Sequence, residues 1–477
     1  MKTNFLGSDT VPRKMLTAVS VLAVAGATFA TRAFSDVGSE PEKCGGIRIG
    51  IIGDQTGTAD LDSAYDILQD GVDILANEEV DVVIHVGDLL ESSAAPADIE
   101  MQWDSATTVL DTLPVDWYMV AGDHDVNPPG YQQDSSDRSR EVLWQSLYGA
   151  RMPQAAATPW YSFDAGDYHF IMLYSHQALH ADPRWGNIFL ARLYDDQISF
   201  LKQDLKANAN AKATIVVVHQ PLWYHWSGWE PVHNLLKKYH VAAVISGHFH
   251  YDQEMKSIDG IRYLTVGATG GMVKQGARDA GNVHHVSVME LRGRHIADFE
   301  LLPISDTLPL AITPRLDMDR VQAMDVVLGE LWNFASLNPL FLKDGGLVNS
   351  CDSVDPAVLS VASIGNPTDE TMDVQLDVSS NAPEINVIDA GFLPGQCTVE
   401  INDYECELAR SARMFISNYS SIMVNTYGPP LWEANLVIAG TPAPGASVSV
   451  SFRLAFNSAQ GELFLNRTVD IPVGVCP

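Results

Sequence analysis

Metal-capable side chains follow five apolar runs that are spread over nearly two hundred residues of this chain. In open α/β sheets, ligands collect just beyond the carboxyl ends of the strands. Carboxylates and imidazoles that converge from several strand ends are what a two-metal hydrolytic site requires. The pattern therefore favours an enzyme built on a sheet. The five segments are Gly53-Asp54, Gly87-Asp88, Gly122-Asp123-His124-Asp125, His219-Gln220-Pro221 and Gly247-His248-Phe249-His250.

The apolar runs predict the buried strands of a layered α/β protein between Ile47 and about Leu302. They are rich in β-branched residues and nearly continuous in hydrophobicity, as strands buried on both faces are. Between the first two runs, apolar residues at helical spacing predict a helix over Ser63 to Glu79, capped by Asp62 or Ser63. The runs are IRIGII, VDVVIHV, WYMVA, HFIMLY, TIVVVH, VAAVIS and RYLTV.

The character of the chain changes after the last of these runs. A proline-punctuated connector, Ser305 to Pro314, precedes a helical pattern from Asp317 to Trp332. From Gly345 onward, short alternating runs separated by Gly, Pro and Asn predict strands, and a small antiparallel β-sandwich is the usual closure of such strands. We therefore expect a catalytic domain over residues 45–304, a linker with a helix over 305–344 and an all-β sandwich accessory domain over 345–477.

Composition limits the partners of the chain. Its 477 residues, 46% of them hydrophobic, are enough for a catalytic core and a second domain. The formal net charge of -31 opposes the basic surface that nucleic acids and anionic membranes require. We expect no nucleic-acid partner and no membrane contact beyond an N-terminal anchor. The sequence names no partner for the accessory domain.

The N-terminal residues have the pattern of an export signal. Arg13-Lys14 precede an uncharged run of 16 residues from Met15 to Ala30, and small residues suited to cleavage follow. The run is short for a bilayer span, which needs about 20 residues. We expect residues 1–34 to be a cleaved signal peptide, with an uncleaved anchor as the alternative. The protein would then be periplasmic, secreted or held at the cell surface.

Five cysteines can form disulfides if the chain enters an oxidising compartment. Cys397 and Cys406 flank a short segment that has the pattern of a hairpin. Cys351 and Cys476 lie near the two ends of the C-terminal region, where a bridge would tie those ends together. Cys44 is then left over. The connectivity stays open, because the sequence alone does not fix it.

In order and approximate spacing, the five segments resemble the calcineurin-like metallophosphoesterase superfamily. The flanking residues resemble it as well: Tyr161-Ser162-Phe163-Asp164 stands before a buried strand, Gln197 begins an amphipathic segment, and Gly267 to Gly271 follow the last histidine segment. The resemblance covers about Ile47 to Leu302. It implies a four-layer α/β/β/α sandwich with a dinuclear metal centre, to which the C-terminal all-β sandwich is added.

The resemblance also implies a role for each candidate residue. The metal ligands would be Asp54 and His250 on the first metal, Asp88 bridging both metals, and Asp123, His219 and His248 on the second metal. His124 resembles the histidine that contacts the substrate phosphate or protonates the leaving group, with Asp125 placed to orient it. Nitrogen and oxygen ligands together favour two transition-metal ions, Fe, Mn or Zn, over Ca or Mg.

Three positions distinguish this chain from the family pattern. Thr56 stands where many members carry a histidine ligand. Glu91 stands where the purple acid phosphatase branch has a tyrosine, and it either completes the shell of the first metal or faces solvent. Asp123 replaces the usual Asn, which lowers the nominal charge of a centre with two divalent ions from about +2 to about +1. Lower charge would hold the metals more firmly but activate water and bind phosphate less strongly.

Two further features have structural alternatives. His85 alternates away from the site, so we expect it to be structural. The aromatic run from Trp223 to Trp229 either lines a substrate pocket or packs its own aromatic rings.

The expected function is that of an exported phosphoesterase whose two metals hold a hydroxide that attacks the phosphate ester of a small molecule. Phosphomonoesters are favoured. The alternatives are a phosphodiesterase acting on nucleotides or lipid headgroups, and a non-catalytic metal-binding surface protein in which Thr56 and Asp123 have removed turnover. A nuclease is disfavoured by the negative charge.

Overall fold

A computed structural model gives the fold of most of the chain. It describes residues 46–477 apart from 59, 93–94, 128–136, 178–191, 225, 274–280, 305–309, 365–371, 381–385, 394–395, 401–402, 409–413, 417–422, 426–431, 442–444 and 459–460. The predicted signal peptide over residues 1–34 and the remaining cysteine, Cys44, lie outside the described residues. Within the described part of the chain, no helix has the length and apolar character needed to cross a membrane.

The elements are numbered in chain order. The helices are α1 (Leu61–Asn77), α2 (Pro96–Leu110), α3 (Asp123–Val126), α4 (Ser139–Arg151), α5 (Asp195–Ala207), α6 (Trp226–Leu236), α7 (Arg315–Gly329) and α8 (Phe334–Leu337). The strands of the first part are β1 (Gly46–Ile52), β2 (Val82–His85), β3 (Trp117–Met119), β4 (Tyr161–Ala165), β5 (Tyr168–Leu173), β6 (Thr214–Val218), β7 (Val241–Ser246), β8 (Gln253–Ile258), β9 (Ile261–Thr265), β10 (His285–Arg292) and β11 (His295–Pro303). The strands of the second part are β12 (Leu340–Lys343), β13 (Gly346–Val348), β14 (Ala357–Ile364), β15 (Met372–Ser380), β16 (Asn386–Leu393), β17 (Gln396–Glu400), β18 (Asp403–Leu408), β19 (Met414–Ile416), β20 (Met423–Asn425), β21 (Trp432–Ala439), β22 (Ser447–Ser458) and β23 (Gly461–Val475).

Two sheets make up the first part of the molecule. One sheet has five strands in the order β11-β10-β1-β2-β3, and β1, β2 and β3 run parallel. The other has six strands in the order β4-β5-β6-β7-β9-β8, and β5, β6, β7 and β9 run parallel. In each sheet, the carboxyl ends of the parallel strands therefore share one edge.

Side chains alternate between two cores along the strands of the six-stranded sheet. On β5, Phe170 and Met172 join a core that also contains residues of β1, whereas Ile171 and Leu173 join a second core with residues of α5 and α6. This period of two places one core between the sheets and the other under helices. On the five-stranded sheet, α1 buries its apolar face in the first core. The predicted four-layer α/β/β/α order is confirmed.

Helix α1 begins two residues earlier than predicted. Its N-cap is Asp60, whose carboxylate accepts a hydrogen bond from the backbone N–H of Ser63 at 3.2 Å. An aspartate at this position satisfies one of the free N–H groups of the first turn. The predicted caps, Asp62 and Ser63, lie inside the helix.

The C-terminal part is rich in β-strands, as predicted. A seven-stranded sheet in the order β13-β12-β23-β22-β15-β18-β17 and a three-stranded sheet in the order β14-β21-β16 contribute side chains to one apolar core, which α7 also joins. The sandwich is not wholly antiparallel, because β12 pairs with β23 in parallel. Strand β12 also lies inside the segment predicted as a linker, and residues Gly45–Pro477 form one compact unit. The predicted domain boundaries therefore stay predictions.

Two cysteine pairs can be compared with the expectation. Cys351 and Cys476 form a disulfide across 125 residues of sequence, which confirms that bridge. Cys397 and Cys406 stand directly opposite each other on β17 and β18, so the predicted hairpin is present. The side chains of this hairpin lie outside the described residues, and its disulfide stays a prediction.

Candidate metal centre

The sheet edges bring the five predicted segments to one place. Asp54, Asp88 and Asp123 follow the parallel strands β1, β2 and β3, and His219 and His248 follow β6 and β7. A strand-end loop must turn sharply to point a side chain along the strand axis. The backbone accordingly takes positive φ at four of the ligand positions, which are Asp54 (57°), Asp88 (58°), His248 (74°) and His250 (59°). Such conformations are costly for residues other than glycine and cluster at functional sites.

All six predicted ligands lie in two overlapping groups. Within each group, one nitrogen or oxygen atom per residue lies within 4.8 Å of the corresponding atom of every other member. Asp88 belongs to both groups, which is the position expected of a bridging carboxylate. The first group is Asp54, Asp88 and His250, and the second is Asp88, Asp123, His219 and His248.

Hydrogen bonds hold two histidines with one ring nitrogen free for a ligand bond. His219 donates from Nδ1 to the carbonyl oxygen of Val86 at 2.7 Å, and His250 donates from Nδ1 to that of Met272 at 2.8 Å. In both rings, Nε2 is then the atom that faces the carboxylates, and in His219 it lies 3.0 Å from Asp123 Oδ1. A backbone partner that fixes the tautomer in this way is typical of metal-binding histidines. In His248 the inward atom is Nδ1, which lies 2.8 Å from Asp123 Oδ1.

One oxygen of Asp54 suggests directly that an ion belongs here. Oδ1 accepts a hydrogen bond from the backbone N–H of His248 at 2.9 Å, but Oδ2 is buried with no hydrogen-bond partner among the described residues. Burial raises the pKa of this carboxyl well above its ordinary value. Buried polar atoms are normally paired, so an orphaned carboxylate oxygen beside imidazole nitrogens fits a site for a metal ion.

Two glycines make room for these carboxylates. A side chain at Gly122 would place its Cβ 2.1 Å from Asp88 Oδ1, and one at Gly247 would place it 2.4 Å from Asp54 Oδ2. Both distances are far below van der Waals contact. Glycine is therefore required at both positions by the close approach of the ligands.

Charges inside the cluster compensate one another in part. Burial alone would raise the pKa of Asp123, but the neighbouring His248 and the hydrogen bonds from His219 and His248 hold it well below its ordinary value. Burial likewise opposes protonation of His219, yet Asp88 and Asp123 raise the pKa of that imidazole well above 6.5. The carboxyl group of Asp123 is therefore held in its anionic form, and the imidazole of His219 balances part of the charge of Asp88 and Asp123.

Exposure rises from the floor of the cluster to its rim. The side chains of Asp54 and His219 are fully buried, whereas those of Asp123 and His124 are 23% and 32% exposed. Asp123 and His124 therefore lie at the solvent-accessible rim of the cluster.

Glu91 is the partner of His124, an outcome outside both alternatives drawn from the sequence. His124 Nδ1 lies 2.5 Å from Glu91 Oε1, and Glu91 Oε2 accepts a hydrogen bond from the backbone N–H of Gly57 at 2.7 Å. Burial disfavours the charged ring, but the hydrogen bond to Glu91 and the nearby aspartates raise the pKa of His124 to about 9. The available signal was that Glu91 follows Asp88 by three residues on the same loop.

Asp125 has a different role from the one predicted. Its Oδ2 accepts hydrogen bonds from the backbone N–H groups of Asp88 at 3.0 Å and Gly122 at 2.8 Å, and its Oδ1 accepts one from Leu90 at 2.9 Å. Both oxygens are thus used by backbone amides, and the ring of His124 is held by Glu91 instead. Asp125 braces the loop that carries Asp88. Burial, together with the charge of Asp88, raises its pKa to about 7.

Thr56, which stands where many family members have a histidine ligand, contacts the ligand cluster through its hydroxyl. It is fully buried, and its hydroxyl donates to Asp88 Oδ2 at 3.3 Å. Its contact is therefore with the carboxylate shared by the two groups.

The structural expectation for His85 is borne out. Its Nδ1 accepts a hydrogen bond from the backbone N–H of Gly87 at 3.1 Å, and its Nε2 donates to Gln55 Oε1 at 2.8 Å. Burial lowers the pKa of this imidazole to about 3, so it is neutral. Of the aromatic run, Trp223 and Trp229 pack in the core with ring centroids 6.0 Å apart, and the side chains of residues 224–227 lie outside the described part.

Comparisons with known proteins agree with this geometry. Residues 47–252 match the model of the calcineurin-like phosphoesterase family. The chain is 26% identical to purple acid phosphatase 23 of Arabidopsis thaliana over 205 residues, which cover 38% of this chain and 41% of that relative. The chain therefore spans less than half the length of this relative.

Two solved structures are also similar. Purple acid phosphatase PPD1 from seeds of yellow lupin (Lupinus luteus) has 18% identity and a TM-score of 0.40, and the match covers 56% of this chain and 54% of that one. A dimetal phosphatase from Danio rerio has 16% identity and a TM-score of 0.37, covering 54% of this chain and 99% of that one. The assignment itself depends on the family model, whose match includes all six ligand positions: residues 47–252 of this chain belong to the calcineurin-like phosphoesterase family.

Proposed function

We propose that this protein hydrolyses phosphate esters, phosphomonoesters foremost, at the cluster formed by the two ligand groups. The observation that carries the proposal is that Asp88 belongs to both groups. A carboxylate between two cations reduces their repulsion, and two cations held in this way suit in-line attack at phosphorus. The family match and the similarity to a purple acid phosphatase support the same chemistry.

The donor set indicates which ions the cluster would take. Asp54, Asp88 and His250 would hold one ion, and Asp88, Asp123, His219 and His248 would hold the other. Mixed carboxylate and imidazole donors favour Fe, Mn or Zn. Such a pair would supply an activated water and an electrophilic clamp for the phosphoryl oxygens.

His124 is the residue of this chain best placed to assist the leaving group. Glu91 engages Nδ1, so Nε2 is the ring atom left for the substrate, and the side chain stands at the exposed rim. From there, Nε2–H can donate a hydrogen bond to a phosphoryl oxygen and pass a proton to the leaving oxygen. Glu91 fixes the orientation of the ring and stabilises its protonated form.

Asp123 lowers the net positive charge that the cluster would have with two divalent ions bound. With carboxylates at three ligand positions, two divalent ions leave a nominal charge of about +1. We infer firm metal binding and moderate affinity for a phosphate dianion. The same argument makes turnover the property that an experiment must establish.

The deciding experiment joins metal analysis to activity. The purified full chain would be assayed for metal content, and then offered an aryl phosphomonoester and a bis-aryl phosphodiester with Mn, Fe or Zn. We expect about two ions per chain and faster cleavage of the monoester. Asp88→Asn should lose both ions and lower kcat/KM by about a thousandfold or more. Asp66→Asn, a change at an exposed position of α1, is the matched control.

The other outcomes identify the alternatives. Faster cleavage of the diester would favour an enzyme acting on nucleotides or lipid headgroups. Two bound ions with no cleavage of either substrate would favour a non-catalytic metal-binding protein. A parent protein that takes up no metal would overturn the proposal altogether.

We also propose that the protein is exported. The disulfide between Cys351 and Cys476 supports this, because such bridges persist in oxidising compartments. Expression of the full gene followed by cell fractionation would test it. Recovery of the protein in the cytosol with both thiols free would contradict the proposal.

A further inference from the structure

The loop that carries His248 and His250 lies between two different environments. It connects β7 to β8, and both histidines take the left-handed backbone conformation, with φ of 74° and 59°. Such a conformation persists in non-glycine residues only when the surroundings over-determine it. The loop therefore needs support other than the bonds of its two histidines.

Alternate residues of the loop have opposite surroundings. His248 and His250 belong to the two ligand groups. Tyr251 instead belongs to the apolar core of the C-terminal part and is only 7% exposed, and Phe249 packs against both that core and the core under α5 and α6. The rings of Phe249 and Tyr251 stack with centroids 5.2 Å apart and planes at 18°.

Helix α7 supplies the polar half of this contact. Gln322, in the middle of α7, donates a hydrogen bond from Nε2 to the hydroxyl oxygen of Tyr251. Met318 and Val321, one turn or less away on the same helix, belong to the core that Tyr251 joins. The tyrosine is thus fixed at its ring by packing and at its hydroxyl by a directional bond.

The chain after the loop is attached to the segment that leads into α7. Asp252 is fully buried, and its Oδ2 accepts a hydrogen bond from the backbone N–H of Thr313 at 2.7 Å. The N–H of Glu254 in turn donates to the carbonyl oxygen of Thr313 at 2.8 Å. The position of α7 and the position of the loop are therefore linked by one side-chain and one backbone hydrogen bond as well as by the tyrosine.

We propose that Tyr251 is a positioning residue, and that through its bond to Gln322 the C-terminal part of the chain holds His248 and His250 in their ligand geometry. The inference rests on the metal site of the proposed function. It adds that the β-rich part contributes to metal affinity although it supplies no ligand of its own among the described residues. Both ions should be affected, because the two histidines belong to different ligand groups.

The test uses two conservative variants of the full chain. Tyr251→Phe keeps the ring and removes the hydroxyl, and Gln322→Met keeps the length of the side chain and removes the donor. Metal affinity would be measured by competition with a chelator, using Zn alone. Amide hydrogen exchange of residues 247–252 would be measured in metal-free protein, so that the loop is observed independently of metal binding.

We expect each variant to weaken Zn affinity by about tenfold, the lower end of the effect of partners that orient metal ligands. The double variant should be no weaker than either single variant, since one bond is removed in all three. Exchange in the loop should become faster. Tyr263→Phe is the matched control: this buried hydroxyl bonds to Trp229 and His233, and its loss should leave Zn affinity unchanged.

Unchanged Zn affinity and unchanged loop exchange in both variants would overturn the inference. An equal loss of affinity in Tyr263→Phe would also overturn it, because the effect would then be general destabilisation. If the parent chain binds none of Zn, Mn and Fe, the proposed function fails, and faster loop exchange in the variants still decides whether the tyrosine positions the loop.

Discussion

The two parts of this molecule differ in the kind of side chain that they bury. From Asp54 to Asn338, a range that comprises the first part and α7, the interior contains many polar and charged side chains, including those of the ligand cluster. Beyond Asn338, the side chains that the structure describes as buried are all apolar. Buried polar groups cost free energy unless they are paired, whereas apolar burial is favourable without partners. The first part is therefore arranged around a site, and the second part contributes stability through packing and a disulfide.

Replacing Asp125 should have the largest effect on stability, because this residue is a buried polar group of the first part. Asp125→Asn leaves one acceptor oxygen where two oxygens accept bonds from three backbone N–H groups, and it turns an amide NH₂ toward a donor. We expect a loss of about 4 kcal/mol in the free energy of unfolding, since hydrogen bonds to a buried charge are strong. The loop of Asp88 should loosen, and metal content should fall with it.

Urea unfolding and metal analysis of the same preparation would check this expectation. Asp66→Asn again serves as the control on an exposed position. If Asp125→Asn retained both its stability and its metal, polar pairing would not be what holds the first part together.

Removing the disulfide tests how much the bridge stabilises the second part. In Cys351→Ser combined with Cys476→Ser, a loop of 125 residues is no longer closed in the unfolded chain. We expect the free energy of unfolding to fall by about 3 kcal/mol. Metal content should be unchanged wherever the variant is folded, because the bridge lies in the apolar part.

Thermal unfolding of this variant would be followed beside that of Cys44→Ser, which removes a cysteine outside the described residues. Loss of metal from the folded double variant would show that the disulfide, and not only the bond between Gln322 and Tyr251, supports the ligand geometry.

Glu91→Gln separates activity from stability within the first part. The change keeps the side-chain volume but removes the charge that faces His124 Nδ1 at 2.5 Å. We expect kcat to fall by about 30-fold, or about 2 kcal/mol, because a general acid loses its orienting partner. The free energy of unfolding should fall by only about 1 kcal/mol, since the glutamine oxygen can still accept a hydrogen bond from Gly57.

Steady-state kinetics, metal content and urea unfolding would be compared with those of Glu78→Gln. Glu78 pairs with Arg48 at 2.8 Å, away from the site, and is a matched glutamate. A fall in metal content rather than in kcat would favour the interpretation that Glu91 is a metal ligand.

The ligand positions could be predicted from the sequence because they depend on strand ends. A run such as TIVVVH fixes where the backbone of His219 lies, and parallel strands bring such ends to one edge. The four-layer order followed from the same runs. These features depend on the hydrophobic pattern, which can be recognised directly in the sequence.

The supporting contacts could not be predicted in the same way. Asp125 was expected to orient His124, yet its oxygens accept from Asp88, Leu90 and Gly122. Which acid meets the ring of His124 depends on side-chain torsions and on loop conformations with positive φ, and neither has a pattern of its own. The bond between Gln322 and Tyr251 joins residues 71 positions apart, beyond the range of any local pattern.

The smallest expected effect concerns a charged pair far along the chain from the ligands. His169 is 2% exposed, and its Nδ1 and Nε2 lie 2.7 Å from Asp164 Oδ1 and 2.6 Å from Asp204 Oδ2. Burial alone would lower the pKa of this imidazole, but hydrogen bonds to Asp204 and Asp164 outweigh burial and raise it. Asp204 dominates in practice, since Asp164 is 65% exposed and screened by water.

The sign of the pH dependence follows from the raised pKa. The contribution to stability is complete below the ordinary pKa of 6.5 and is lost as the pH rises through the higher pKa of the folded protein. We expect the parent to lose about 1 kcal/mol more than Asp204→Asn does across that interval. Urea unfolding of both proteins at a series of pH values would measure the difference. A constant difference at all pH values would mean that His169 stays neutral between its two carboxylate partners, Asp164 and Asp204.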